Sequence, residues 1–348
     1  MPGELVAADI SARALISAPF LYDLGVLVID TLIAVIMVFV NLFPAAAAEP
    51  FQFPFMQRAL LTALLVGCVC GILSCYVVLK RWSLLGDTIS HAVLPGVAVA
   101  HLLSWPFFIG GLISGLATAM GIGMIERNTR IKEDAAMGLM LTGSFALGIV
   151  IISQIATSTH LMHILFGNVL GVRMPTLLLT LVVGLLTLAV VLLYYKEFLL
   201  YSFDPVQASV QGMNTAAIHY GLMFLLTLTI VASLETVGII LVVAMLITPG
   251  ATAYLLAHSL SRMMLIATAS SMFSAVIGLY LSFVFNLASG GTIVLVSTTL
   301  FFLTFLLAPE HGVLGKWMRS RGKREAASEA TSGKIPGYGR TGRGKKPR

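Results

Sequence analysis

Charge is what this sequence has least of. Only 10% of its 348 residues are Asp, Glu, Lys or Arg, 58% are hydrophobic, and mean hydropathy is +0.98. Water-soluble domains carry charge at about a quarter of their positions, so a soluble globular fold is excluded. Cysteine is scarce as well: Cys68, Cys70 and Cys75 all lie in one apolar run. Their spacing is neither a zinc pattern nor a disulfide framework, and they read as small packing residues. A usable nucleotide-binding loop is also missing. Gly339-x4-Gly344-Lys345-Lys346 imitates one, but no Ser or Thr follows the Lys and no strand precedes it. No Ser-His-Asp set, paired-carboxylate hydrolase arrangement or His-Glu-x-x-His helix stands out, which leaves hydrolase and intramembrane metalloenzyme chemistry without a basis.

What the chain does have is long apolar runs. An outer-membrane barrel would alternate polar and apolar residues in segments of about ten, whereas runs of about twenty are membrane helices. The fold class is therefore an all-α, polytopic integral membrane protein. A leading segment at 24–43 carries Asp30 and ends in Pro44-Ala45-Ala46-Ala47-Ala48-Glu49, a small-residue stretch with the look of a signal-peptidase site. Its approach has a single cation, Arg13, so a cleaved signal and an uncleaved extra helix both stay open. Further spans are expected at 59–79, from the Asp87 region to Leu103, and at 107–125, 135–156, 176–195, 218–234, 237–257, 263–287 and 292–308. The segment 161–172 is too short to span and reads as re-entrant or buried in protein. The core thus holds about eight to ten membrane segments after one N-terminal hydrophobic segment. Gly67-x3-Gly71 suits close helix contact, although glycine is frequent in membrane helices anyway.

The excess of positive charge belongs to the tail. Residues 316–348 hold 11 of the 21 Lys and Arg, against Glu325 and Glu329, and the other 315 residues carry 10 basic and 13 acidic groups. Rich in Gly, Ser, Lys and Arg, this tail reads as disordered and cytoplasmic. The domain plan is an N-terminal extension (1–48), a transmembrane domain (49–315) and the basic tail (316–348). Lys80/Arg81 and the Arg127–Lys132 cluster compete with the tail in positive-inside bookkeeping, so orientation stays open. The connector 126–134 reads as a solvated loop.

One stretch departs from the apolar background: Lys80-Arg81-Trp82-Ser83-Leu84-Leu85-Gly86-Asp87-Thr88-Ile89-Ser90-His91-Ala92-Val93-Leu94-Pro95-Gly96. On a helix, Asp87 and His91 stand one turn apart on one face, so both can touch one ligand. A carboxylate oxygen and a neutral imidazole nitrogen suit a borderline divalent cation, and ionisable groups at membrane depth are functional candidates by default. The bland reading is a buried pair tying two helices together. Glu235 could serve a pathway or mark a break between half-helices. His160 and His163, at i and i+3, could be a second metal contact or interfacial histidines. His101 lies near, but not on, the His91 face. His219, His258 and His311 sit at segment ends and read as half-wet. Asp204-Pro205-Val206-Gln207-Ala208-Ser209-Val210-Gln211-Gly212 has the acid-then-Pro start and Gly stop of a short helix between spans. It is either a connector or a knob that engages a motor.

The run 79–96 resembles the signature of permease subunits of ATP-driven manganese/zinc/iron importers. So do 129–135 (Thr-Arg-Ile-Lys-Glu-Asp-Ala), Phe166-Gly167-Asn168-Val169-Leu170-Gly171, Thr236-Val237-Gly238 and Thr248-Pro249-Gly250-Ala251-Thr252-Ala253. The match covers about 49–315. Lys80 to Leu84, Thr248 to Leu256 and Ala308-Pro309-Glu310-His311-Gly312 look closer to manganese and iron permeases than to zinc ones. The resemblance implies a helical permease of the ABC importer type, multi-pass in the bacterial cytoplasmic membrane and working as a dimer, a homodimer by expectation. Two ATP-binding subunits would hydrolyse ATP below it, and an extracytoplasmic metal-binding protein would deliver cargo. The chain itself would be no enzyme, with no permanent cofactor, no nucleic-acid partner, and Mn2+, or else Fe2+ or Zn2+, as cargo. The family's metal pair maps onto Asp87 and His91, doubled by two-fold symmetry into an outer gate. Its ATPase-coupling segment maps onto Asp204, Pro205, Gln207, Ala208 and Gly212. Similar proteins begin near Glu49, which leaves the first 48 residues outside the resemblance. A proton-coupled secondary transporter using Asp87, Glu235 and the histidines as a relay is the alternative.

Overall fold

In hydrocarbon every backbone N–H and C=O must bond within its own segment, so apolar runs of this length fold as helices. The computed structural model describes residues 19–42, 48–154, 167 and 169–308, and among them it has helices and no strand. In chain order these are α1 (Pro19–Val40), α2 (Pro54–Lys80), α3 (Leu85–Leu102), α4 (Phe107–Asn128), α5 (Glu133–Ser153), α6 (Met174–Leu193), α7 (Tyr195–Phe203), α8 (Pro205–Val210), α9 (Thr215–Val237), α10 (Ile239–Leu256), α11 (Leu260–Phe285) and α12 (Ser289–Leu307). Nine described helices are long and apolar enough to span. One of them is α1, which leaves eight after residue 49, and α3, the polar carrier of Asp87 and His91, runs beside them. The expected spans are present with their ends shifted by a few residues, except that the one expected from the Asp87 region to Leu103 forms the helix α3, which is not among those apolar enough to span. Of 161–172, residues 161–166 and 168 lie outside the described residues, and Val169–Gly171 is a 3-10 turn.

Local chemistry sets the helix ends. Arg81 (φ 60°) ends α2 in the left-handed conformation: its N–H donates to Val78 O, and Trp82 N–H reaches back to Val77 O at 2.8 Å. Ser104 repeats that closure after α3, where Trp105 N–H donates to Ala100 O. Both are Schellman caps, which satisfy carbonyls that a helix end would otherwise leave bare. A single residue, Gly238 (φ 82°), separates α9 from α10. That conformation is strained for any residue with a Cβ.

α2 and α9 are the most buried spans. Their apolar groups (Leu60, Leu73, Tyr76, Leu222, Leu226 and Ile230 among them) join Trp82, Leu85 and Ile89 in one core. Gly67 and Gly71 lie against the backbone of α11 at Ser271 and Thr268, so the small-residue pair does serve close contact. Cys70 and Cys75 are buried and all three cysteines are free thiols, as expected of packing residues. α1 lies outside this core. It seats Ile29 against Leu61, Leu177, Leu178 and Leu181, and exposes Leu27, Val35, Val38 and Phe39.

Short turns make successive spans antiparallel, and this sorts the charges. The C-terminus of α2, the α4–α5 turn, α7, α8 and the N-termini of α9 and α11 share one end of the bundle. Tyr201 of α7 meets Lys80 and His219 there, and Tyr195 Oη lies 2.8 Å from Ser261 Oγ. Lys80, Arg81, Arg127, Arg130, Lys132, Lys196 and Arg262 all belong to that end, and α12 returns to it before the chain enters 316–348. Arg58 and Arg173 belong to the other end. The clusters that seemed to compete in sequence lie on the same side as the C-terminus of α12.

Candidate metal site

α3 begins just after the Schellman cap, with Leu85 N–H donating to Trp82 O at 3.0 Å. Asp87 falls in its first turn, where a carboxylate complements the helix dipole. Thr88 and Ser90 return their hydroxyls to Leu84 O and Gly86 O, so neither polar group is left bare in the core. The neighbouring helices hold α3 closely. Gly96 and Gly110 bring the α3 and α4 backbones into direct contact, Ser114 Oγ donates to Ala92 O, and Gly148 of α5 lies against Leu94 and Pro95.

Between Leu85 and Pro95 every residue is buried except Asp87 and His91. Their side chains are 41% and 33% exposed, so the open stripe on this part of the helix is a carboxylate and an imidazole. His91 Nε2 stands 3.4 Å from Asp87 Oδ1, and the His91 ring meets Phe145 of α5 edge-on at 5.2 Å. Two donors about 2.1 Å from one ion at a tetrahedral angle lie about 3.4 Å apart, so the pair fits one edge of a coordination shell. His91 Nδ1 is buried with no hydrogen-bond partner. Among the described residues no group of three His, Cys, Asp or Glu could hold a metal, so these residues offer the Asp87/His91 pair and no closed cage.

Among the described residues, the other candidates do not join this pair. Ile89 and Thr227 both face Gly115, and Val93 and Val231 both face Gly111, so α9 runs level with α3. Glu235 is then level with about residue 97, six residues above His91, or about 9 Å of helical rise. It lies near Arg173 instead. His101, ten residues beyond His91, is about 15 Å along the helix and stacks on Phe107 at 6.1 Å. His160 and His163 lie outside the described residues, as do His311 and the glycine-lysine run at 339–346. Asp87 and His91 stand in the half of α3 nearer the α7–α8 end.

The short helix forms as its residues dictate. Asp204 caps α8 by accepting from Gln207 N–H at 2.9 Å, Pro205 takes the first position, and Gly212 (φ 80°) closes it. Ala208 is fully buried, while Phe203, Val206 and Val210 are exposed. This is a firmly anchored knob with apolar groups on its surface, beyond the spans.

Sequence reasoning missed a polar cluster between that knob and α3. His219 is 5% exposed rather than half-wet, with Tyr201 Oη 2.7 Å from its Nδ1 and Trp82 edge-on at 5.3 Å. Burial, with the Glu133 and Glu126 carboxylates, pushes the Tyr201 hydroxyl above the usual tyrosine range, so it stays protonated and uncharged. The other ring nitrogen of His219, Nε2, faces Glu126 Oε2 at 4.0 Å. Lys80 Nζ sits 3.9 Å above the Tyr201 ring, and Arg127 covers Tyr220 at 4.9 Å. The connector 126–134 is therefore only partly a solvated loop, since Glu133 places Oε1 in the interior. These partners lie up to 139 positions apart (80 to 219), and no local spacing reveals them.

The comparisons agree with this architecture. The manganese transport system membrane protein MntC of Listeria monocytogenes is 52% identical over 263 residues, covering 76% of this chain and 94% of that protein. The chelated iron transport system membrane protein YfeD of Yersinia pestis is 49% identical over 267 residues, 77% of this chain and 90% of that one. The solved structure of PsaBC from Streptococcus pneumoniae in complex with Fab superposes with a TM-score of 0.71 at 42% identity, covering 80% of this chain and 99% of that chain. The ABC 3 transport family matches residues 52–308, which take in the spans from α2 to α12. With helices of spanning length throughout and the carboxylate–imidazole stripe among them, the chain is a multi-pass membrane protein and belongs to the ABC 3 transport family.

Proposed function

We propose that this protein is the permease subunit of an ATP-driven importer of divalent transition-metal ions in the bacterial cytoplasmic membrane, with Mn2+ as first cargo and Fe2+ or Zn2+ as further candidates. The observation that carries this reading is the open stripe of α3, where Asp87 Oδ1 and His91 Nε2 lie 3.4 Å apart on a stretch, Leu85 to Pro95, that is otherwise buried. The manganese- and iron-transport names of its relatives favour the same cargo.

Two donors make half a site. A second copy related by a two-fold axis would add another carboxylate and imidazole, making four ligands of mixed O and N character that suit Mn2+ or Fe2+. Such a shell in a passage must release its ion, and partial exposure of both residues favours exchange over trapping. The ion would arrive from an extracytoplasmic metal-binding protein, pass an outer closure above the pair, and leave toward the α7–α8 end. That end carries most of the basic residues among those described, which supports reading it as cytoplasmic. Two ATP-binding subunits on separate chains would hydrolyse ATP there and grip Asp204 to Gly212, where Phe203, Val206 and Val210 offer apolar contact. Residues 49–315 form the working domain in this reading, with 1–48 and 316–348 as appendages. Glu235, at the far end of α9, would draw cations toward the mouth.

The test is growth rescue of a metal-starved bacterial strain by the complete importer, with Mn, Fe and Zn supplied separately. Rescue by manganese alone or by manganese and iron supports the reading. Failure with every metal contradicts it.

A further inference from the structure

The 204–212 knob and the Asp87/His91 stripe are separate features, and the structure joins them through one side chain. α7 passes into α8 without a flexible break, since Asp204 N–H donates to Leu200 O at 2.9 Å and the Asp204 carboxylate caps the next helix. Tyr201 stands on that continuous piece, three residues before the cap. Its two chemical faces engage two other helices. The ring carries the Lys80 ammonium at 3.9 Å, at the last residue of α2, and the hydroxyl holds His219 Nδ1 at 2.7 Å, near the start of α9.

Both partners lead to the base of α3. Lys80 is two residues before Trp82, and the intervening Arg81 is locked in the left-handed cap. His219 presses edge-on against Trp82, whose side chain is wholly buried. The Trp82 carbonyl receives Leu85 N–H, which starts α3, and Asp87 follows two residues later. Each contact is directional, and each is at least partly withdrawn from water, where cation–π and hydrogen-bond interactions hold geometry well. Nothing in the route is a flexible linker.

We propose that Tyr201 is a positioning residue of transport: through Lys80, His219 and Trp82 it ties the 204–212 segment to the base of α3, and so sets where Asp87 and His91 stand. This rests on the reading of 204–212 as the contact for the ATP-binding subunits. A shift of the knob on nucleotide binding then reaches the metal pair through packed side chains with few soft joints. Tyr201 touches no cargo and no nucleotide. Its removal leaves both ends working and the link between them loose.

The experiment uses the complete importer in proteoliposomes and measures Mn2+ taken up per ATP hydrolysed. Tyr201→Leu and Lys80→Met remove the cation seat, and Tyr201→Phe keeps the ring while deleting the hydroxyl. For Tyr201→Leu, ATP hydrolysis is expected to continue while the uptake-to-hydrolysis ratio falls at least about tenfold, within the range of coupling between distant sites. Tyr201→Phe restores the ratio to within about threefold of wild type, because the Lys80 seat survives. Lys80→Met combined with Tyr201→Leu lowers it no further than Tyr201→Leu alone, since that change already removes the Lys80 contact. A ratio that stays at the wild-type value overturns the proposal, as does loss of the assembled complex in Tyr201→Leu, which would make the residue merely structural. A wild-type complex that moves no metal contradicts the importer reading itself, and that failure is read from a different sample.

Discussion

His91 Nε2 lies 3.4 Å from Asp87 Oδ1, one helical turn away, on a helix whose other residues from Leu85 to Pro95 are buried. Burial of the surrounding side chains and the closeness of α4 and α5 leave these two groups little freedom except toward the open side. That combination, a rigid support with an exposed polar edge, is what a transient ion site needs.

Removing either donor therefore removes transport. Asp87→Asn keeps the shape and loses the charge, and His91→Ala loses the nitrogen. Each is expected to lower Mn2+ uptake at least about tenfold, the order seen when a single metal contact or its support is lost. Expression, membrane insertion and capture of the ATP-binding subunit should match wild type, because both side chains are partly exposed and unpacked on one side. Metal uptake into cells and co-purification check the two halves of this expectation.

Most of the scaffold was legible in advance, for one physical reason. The bilayer forces apolar runs of about twenty residues to be helices, so spans from α2 to α12 could be read directly from hydropathy. The Asp87/His91 pair was legible because four residues on a helix is one turn. The short helix α8 was legible from Asp204, Pro205 and Gly212. What could not be read was tertiary. Tyr201, Lys80 and His219 meet only after three helices pack, and Phe145 reaches His91 from a separate helix. The orientation of the charges was also hidden, because it depends on counting crossings that a polar helix such as α3 obscures.

The α3–α4 contact predicts a stability defect far from any charge. A Cβ on Gly96 would meet the Gly110 carbonyl and the Ser114 side chain, and backbone cannot step aside as a flexible side chain can. Gly96→Ala is expected to destabilise the protein by about 1–3 kcal/mol, the usual range for overpacking. A lowered unfolding midpoint in detergent, relative to Gly138→Ala, checks it. Gly138 is the control because a Cβ there meets nothing within 4 Å.

The knob makes a prediction about assembly. Val206 and Val210 are 71% and 76% exposed, so changing both to Asp leaves the fold intact. Charge placed on an apolar contact is expected to cost the ATP-binding subunit at least about tenfold in affinity, as for truncated interface hot spots. Co-purification and ATPase activity of the assembled complex measure it. Normal assembly would move the ATPase contact elsewhere.

The basic tail makes the opposite prediction. Deleting 320–348 removes nine of the 21 Lys and Arg (Arg321, Lys323, Arg324, Lys334, Arg340, Arg343, Lys345, Lys346 and Arg348) and nothing the family match covers. Transport is expected to stay within about twofold of wild type, since the deleted residues lie outside the stretch that the family match covers. Mn2+ uptake by the truncated importer checks it.

The most direct measurement is electron spin-echo spectroscopy of Mn2+ held in the nucleotide-trapped complete importer. A nitrogen coupling on the manganese in the wild-type complex, absent in His91→Ala, is what this account predicts. A manganese signal whose nitrogen coupling is unchanged by His91→Ala would contradict it.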